Sequence, residues 1–220
     1  MTSSDTPRRL PFLSAVFLIT FSMLIFQIVQ TRILSVIAWY YLAFFAISVA
    51  MLGMTIGAVW VYLWRERFRQ SSLAVTLANF AVATALAMPA SVAVQFCLVT
   101  PISLSLTTVV SWSLLLIAMA VPYVFSGVVV SLALTGSPFP TGLVYGVDLL
   151  GGALGCVAVI GLLNLLDGPT SVILSGAISG LSAMAFAASA NSEDLPRHCA
   201  DRLQFRRPCI GRPYTCRTLP

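Results

Sequence analysis

Residues 39–64 read WYYLAFFAISVAMLGMTIGAVWVYLW, a stretch without a single charged side chain. A helix that crosses the ~30 Å hydrocarbon core of a bilayer needs about 20 apolar residues. Tryptophan and tyrosine stand at both ends of this stretch, as they do at the two interfaces of a membrane helix. The stretch therefore predicts a transmembrane helix.

Five further apolar segments have the length of a membrane span, and prolines, glycines or charged residues separate them. Pro122 lies inside an apolar run that is longer than one crossing requires, so we expect a kinked or tilted span there. The predicted fold class is all-α, a polytopic transmembrane helical bundle of about six spans. In chain order the predicted spans are residues 11–37, 39–64, 73–99, 103–134, 143–166 and 170–190.

The arginines alternate between the connections of these spans. They precede the first span, lie between the second and third, and follow the sixth. Positive charge marks the cytoplasmic side, so both termini are predicted to be cytoplasmic in a multi-pass protein of the cell inner (plasma) membrane. The predicted organisation is a cytoplasmic segment at residues 1–10, a six-helix domain at 11–190, and an Arg-, Cys- and Pro-rich tail at 191–220. We expect this tail to be disordered, or else to be the truncated or misread end of a longer protein.

Composition excludes several classes of function. Hydrophobic residues make up 59% of the 220 residues and charged residues 9%, against about 25% charged in soluble domains. Every basic residue other than His198 is arginine, so a lysine Schiff base and a phosphate-loop lysine are excluded. The net charge of +5 comes mainly from the tail and indicates orientation rather than nucleic-acid binding. We predict no cofactor, no metal site and no catalytic residue in this chain, and a lipid bilayer as its surroundings.

Glycines recur in pairs at four-residue spacing within three of the spans. Such a pair lies on one face of a helix and allows a neighbouring backbone to approach closely. We interpret the pairs as contacts between helices of this chain, with oligomer contacts or a hinge as alternatives. The glycines concerned are Gly53 and Gly57, Gly151 and Gly155, and Gly176 and Gly180.

Four polar residues within the spans form a candidate intramembrane polar site. Asp148 is the one acid well inside an apolar segment, where an unpaired charge costs at least ~2.5 kcal/mol. Gln27 and Gln30 share a helix face with a three-residue spacing, and Arg32 follows them. Arg32 is the natural partner of Asp148, although the topology places the two at different depths. These residues form either a polar pathway or hydrogen bonds that fix helix packing, and we favour the second interpretation.

Four segments resemble a known family. They read FQIVQTRIL at residues 26–34, AMLGMTIG at 50–57, PYVFSG at 122–127 and VYGVDLLGGALGC at 144–156. Together they resemble the membrane-integral N-terminal domain of bacterial spermidine synthase-like (polyamine aminopropyltransferase-like) proteins, over roughly residues 12–188. Many relatives have an acid where Gln27 stands. The Rossmann-like catalytic domain of that family has no counterpart in these 220 residues.

The resemblance implies a membrane domain that anchors or serves a separate or lost aminopropyltransferase-type catalytic domain and is inactive alone. The implied partner is a cytosolic synthase-like domain or another membrane subunit. Two alternatives stay open at this point. The polar residues and Pro122 are compatible with a small-solute transporter or half-transporter, and the glycine faces with a structural membrane subunit.

Overall fold

The part of the protein that the structure describes is a bundle of six long helices, in agreement with the predicted number of about six spans. Its structure, a computed structural model, describes residues 6–37, 41–64, 68, 72–97 and 106–204. Within these residues there is no strand, and six helices are long and apolar enough to cross a membrane. The all-α transmembrane fold class is thereby confirmed. The helices are α1 (Thr6–Ile37), α2 (Tyr41–Leu63), α3 (Leu73–Cys97), α4 (Leu106–Gly136), α5 (Thr141–Leu165) and α6 (Gly168–Gln204).

Pro89 and Pro122 lie well inside helices that remain continuous, as does Pro11 near the start of α1. Pro122 lies within α4 and Pro89 within α3, and neither divides its helix in two. A proline is tolerated in a membrane helix because neighbouring helices and local adjustments satisfy the freed carbonyl groups. The fourth apolar run is therefore one span, as predicted. A transporter-like broken helix is not present in the described part of α4.

The helix α6 continues beyond the predicted end of the membrane domain. The sequence predicts a disordered segment from residue 191, whereas the helix extends to Gln204. Extending an existing helix by one residue costs much less conformational entropy than starting a new helix. Helix-forming residues such as Glu193 and Leu195 can therefore prolong the span. The rest of the predicted tail, residues 205–220, lies outside the described residues.

The helix α1 contacts every other helix of the bundle. It packs extensively against α5 and α6, less against α2, and only lightly against α3 and α4. The pairs α2 with α4, α4 with α3, and α3 with α6 complete a ring that starts and ends at α1. The helix α5 stands outside this ring and rests mainly on α1. Accordingly, 56% of the α1 span is buried but only 17% of the α5 span.

Three apolar clusters fill the interior at successive levels. One contains the first half of α1 with the second half of α4, around Phe12, Val16 and Leu132. The next contains Phe26 of α1 and Tyr123 of α4, whose ring centroids lie 5.6 Å apart. The third joins the end of α1 to the first halves of α2 and α4. The interior is therefore mostly apolar, and each buried polar group in it is a candidate for function.

Candidate functional site

A cavity of about 300 Å³ lies between α1, α2, α4 and α5. Most of its wall is apolar and includes Met23 of α1, Met54 of α2 and Val130 of α4. Three polar side chains also line it: Thr20 of α1, Ser126 of α4 and Asp148 of α5. Ligand pockets typically combine an apolar wall with a few convergent polar groups, so this cavity is the candidate functional site.

The position of α5 produces this cavity. Gly151 and Gly155 bring α5 against α1: a Cβ built on Gly155 would lie 2.8 Å from the Phe21 carbonyl oxygen, and one on Gly151 would contact the Thr20 hydroxyl. The same helix makes few contacts with α4. Asp148 precedes Gly151 by three residues and so lies close to the same face. The carboxylate is thus held near α1, while the space toward α4 stays open.

The polar groups of the cavity have unused hydrogen-bonding capacity. The Asp148 Oδ1 and Ser126 Oγ atoms are buried, and neither has a hydrogen-bond partner among the described residues. Ser126 is 0% exposed. The Thr20 hydroxyl donates to the carbonyl oxygens of Val16 and Phe17, both at 3.1 Å, so it presents lone pairs to the cavity. Unsatisfied buried polar atoms of this kind are rare and indicate either strain or a missing partner.

The predicted polar site is only partly assembled. Gln27 is half-buried, Gln30 is 0% exposed, and Arg32 is exposed on α1. The helices α1 and α5 run parallel, because Gly151 lies against Phe17 and Gly155 against Phe21. Gly151 lies at the level of Phe17 and Thr20 and Asp148 precedes it by about one turn, so Arg32 lies at least twelve residues further along α1, or at least about 18 Å. The structure does not bring Arg32 to Asp148.

Further unsatisfied polar atoms lie elsewhere in the bundle, on α1, α3 and α4. Both polar atoms of the Gln30 side chain, the Gln95 Oε1 and the Tyr123 hydroxyl are buried without a hydrogen-bond partner in the described part of the chain. The Gln95 Nε2 donates to the Ser91 carbonyl oxygen at 3.0 Å. Apart from Gln30, these residues were not expected to be functional from the sequence. Their polarity is visible in the sequence, but their burial depends on which helices meet.

Five of the six paired glycines lie at close helix contacts. A Cβ on Gly53 would lie 2.7 Å from the Tyr123 Cβ, and one on Gly57 would contact the Val124 carbonyl oxygen. A Cβ on Gly176 would lie 3.0 Å from the Ala85 carbonyl oxygen. Gly151 and Gly155 pack on α1 as described above. At Gly180 a Cβ would meet no atom within 4 Å, so this glycine makes no close approach.

A row of buried serines on α6 was not recognised in the sequence. The Ser182 hydroxyl donates to the Ala15 carbonyl oxygen at 3.0 Å, and the Ser179 hydroxyl to the Ala81 carbonyl oxygen at 3.3 Å. Ser171 and Ser175 lie on the same face and are fully buried. The spacings of four, four and three residues predict one helical face. These serines connect α6 to α1 and α3, so their role is structural.

The remaining charged and metal-binding residue types form no further site in the described residues. Cys97 and Cys156 are exposed and free, and no group of three potential metal ligands occurs there. Asp167 occupies the N-cap position of α6, where its carbonyl oxygen accepts the Ser171 amide at 3.0 Å. The three tail cysteines and His198 lie outside the part of the chain whose side chains are described.

No protein-family model, no curated protein and no solved structure matches this chain.

Proposed function

We propose that this chain is a membrane-integral domain of the spermidine synthase-like type, which anchors or serves an aminopropyltransferase-type catalytic domain and is inactive alone. One observation carries the proposal. Three of the four segments that resemble that family contribute to a single cavity: Met54 from residues 50–57, Ser126 from 122–127 and Asp148 from 144–156. Segments that lie far apart in the sequence thus meet around one cavity.

The contacts between these segments add support. Gly53 and Gly57 of the second segment pack against Tyr123 and Gly127 of the third. Phe26, which begins the first segment, contacts Tyr123 through its ring. A motif whose members pack on one another behaves as a single structural unit. The proposal places a membrane function in this unit and the transfer chemistry in a partner.

Affinity purification of the tagged chain from native membranes in mild detergent tests this proposal. The chain by itself is expected to show no aminopropyl transfer, because it contains none of the family's catalytic residues. A stoichiometric soluble partner with transfer activity is expected to co-purify. Membranes that carry the untagged chain serve as the control for non-specific capture. Aminopropyl transfer by the isolated chain, or the absence of any transferase from the complex, would contradict the proposal.

A small-solute transporter is the second candidate, and the unsatisfied polar atoms favour it. Gln30, Tyr123, Ser126 and Asp148 all carry buried polar atoms without a hydrogen-bond partner in the described residues. Polar groups inside membrane bundles often line pathways for solutes or protons. The purified chain in proteoliposomes distinguishes the two candidates: a transporter moves a labelled amine or other small solute across the bilayer, whereas a membrane anchor does not.

A further inference from the structure

The cavity between α1, α2, α4 and α5 contains a negative group without a matching positive one. Among the described residues, Asp148 is the sole charged side chain that lines it. Arg32, the one arginine whose side chain the structure describes, is exposed and lies at least about 18 Å from the level of Asp148 along α1. A carboxylate at such a site requires water, a proton or a cation. The described residues place no positive group beside Asp148, so a bound ligand can provide the positive charge.

The wall of the cavity restricts the kind of cation. Calcium takes six to eight oxygen ligands, and magnesium also prefers a full shell of oxygens. The cavity offers one carboxylate and two hydroxyls, and its other surfaces are thioether and aliphatic groups such as Met23, Met54 and Val130. A bare divalent ion would remain poorly coordinated there. An ammonium group with an apolar body matches both parts of the wall.

The hydrogen-bonding groups are suited to an N–H donor. The carboxylate of Asp148 accepts only, when ionised. The Thr20 hydroxyl already donates to backbone carbonyls and can only accept from a ligand. The Ser126 hydroxyl has no partner among the described residues and can accept as well. An alkylammonium carries up to three N–H donors, which matches three acceptors.

The cavity can be reached from the outer face of α5. Leu149 and Ala153 line it and are also exposed on that face. Gly152 lies between them, and a Cβ there would lie 3.7 Å from the Leu24 side chain, an ordinary contact. In a bilayer this face of α5 contacts lipid, so an amphiphilic molecule can enter sideways from the membrane.

We propose that this cavity binds a small organic ammonium, with Asp148 as its counter-ion, Ser126 and Thr20 as hydrogen-bond acceptors, and the methionines as its apolar wall. The binding is independent of whether the chain anchors an enzyme or transports a solute. Failure of a catalytic partner to co-purify leaves it untouched, and failure of ammonium binding leaves the anchoring proposal untouched.

The test uses the full chain in lipid nanodiscs with n-butylammonium as the probe, n-butanol as its neutral isostere and butyrate as its anionic one. Binding is measured by saturation-transfer NMR, with empty nanodiscs to subtract partition into lipid. We expect the ammonium to bind and the two isosteres not to compete with it. Asp148→Asn is expected to weaken binding about ten- to a hundredfold, the range for a hydrogen bond to a charged group. Ser126→Ala is expected to weaken it several-fold.

Two further variants make the result decisive. Gly152→Leu leaves the carboxylate in place but fills the cavity, and it is expected to abolish binding. Asp167→Asn makes the same chemical change at an exposed position in the turn between α5 and α6 and is expected to leave binding unchanged. Thermal unfolding of each variant identifies any that fail to fold. Unchanged ammonium binding in folded Asp148→Asn or Gly152→Leu, or equal competition by n-butanol, would overturn the proposal.

Discussion

Two pairs of parallel helices use the same glycine spacing with different results. In the pair α2 and α4, glycines approach from both helices: Gly53 and Gly57 lie against the α4 backbone, and a Cβ on Gly127 would lie 2.7 Å from the Met54 carbonyl oxygen. In the pair α1 and α5, Gly151 and Gly155 belong to α5 alone, and α1 presents the Thr20 hydroxyl and backbone carbonyls. The first contact is reciprocal and the second is one-sided.

The difference shows that this motif does not by itself identify a site. Reciprocal glycines let two backbones meet, which gives close van der Waals contact between them. One-sided glycines bring α5 onto α1 but leave it with few contacts to α4. Asp148, one turn before Gly151, faces the space that remains. The same spacing therefore gives a reciprocal backbone contact in one pair and a one-sided contact, with Asp148 one turn away, in the other.

The largest expected effect comes from the reciprocal contact. In Gly57→Ala the new methyl group would contact the Val124 carbonyl oxygen and lie 2.8 Å from the Val128 amide nitrogen, both backbone atoms. Backbone cannot move aside as a side chain can, so we expect the free energy of unfolding to fall by about 3 kcal/mol. Unfolding in mixed SDS micelles, followed by tryptophan fluorescence, measures this change. The matched control is Gly161→Ala, which adds the same methyl group where no atom lies within 4 Å.

An added methyl group is expected to destabilise the one-sided contact less than the reciprocal one. In Gly151→Ala the nearest atom belongs to the Thr20 side chain, followed by the Phe17 carbonyl oxygen at 2.7 Å. We expect a loss of about 2 kcal/mol. Removal of the hydroxyl in the double variant Gly151→Ala with Thr20→Ala should recover about 0.5–1 kcal/mol as a coupling energy. The same SDS titration applied to all three variants measures the coupling. A larger loss of unfolding free energy in Gly151→Ala than in Gly57→Ala would show that the one-sided contact is the tighter of the two.

A substitution at Asp148 is expected to raise the free energy of unfolding, whereas those at Gly57 and Gly151 lower it. The Asp148 carboxylate has a buried oxygen without a partner among the described residues, so an apolar residue should be more stable at this position. We expect Asp148→Leu to raise the free energy of unfolding of the ligand-free chain by about 1 kcal/mol. The exposed Asp167→Leu is the control for a general gain in apolarity. Destabilisation by Asp148→Leu would indicate that the carboxylate has a partner within the fold.

The smallest effect is expected at Gly180. The sequence pairs it with Gly176 at the same spacing as the other glycines, yet a Cβ there would meet nothing within 4 Å. We expect Gly180→Ala to change the free energy of unfolding by at most ~0.5 kcal/mol, with a slight gain from the lower backbone entropy of alanine. Gly176→Ala is the comparison, since its methyl group would lie 3.0 Å from the Ala85 carbonyl oxygen. Equal losses in the two variants would place Gly180 at a helix contact.

The sequence predicted the helices closely and the candidate site only in part. The predicted span 143–166 compares with helix Thr141–Leu165, and 103–134 with Leu106–Gly136. Asp148 was found from its charge in an apolar segment. Ser126 and Thr20 were missed because a serine or threonine in a membrane helix usually bonds to the preceding turn and is unremarkable in the sequence. Arg32 was grouped with Asp148 by chemistry, although helix register keeps them apart.

The amino-acid sequence by itself determined that the chain forms six apolar helices, and at which residues they lie. In a bilayer each helix satisfies its own backbone hydrogen bonds, so apolar length alone is sufficient to define a span. The tertiary structure decided which helices meet, that α1 contacts every other helix while α5 rests mainly on α1, and that Asp148 shares a cavity with Ser126 rather than a contact with Arg32. These outcomes depend on the fit of backbones and side chains between helices, because every span is about equally apolar and hydropathy does not distinguish one neighbour from another.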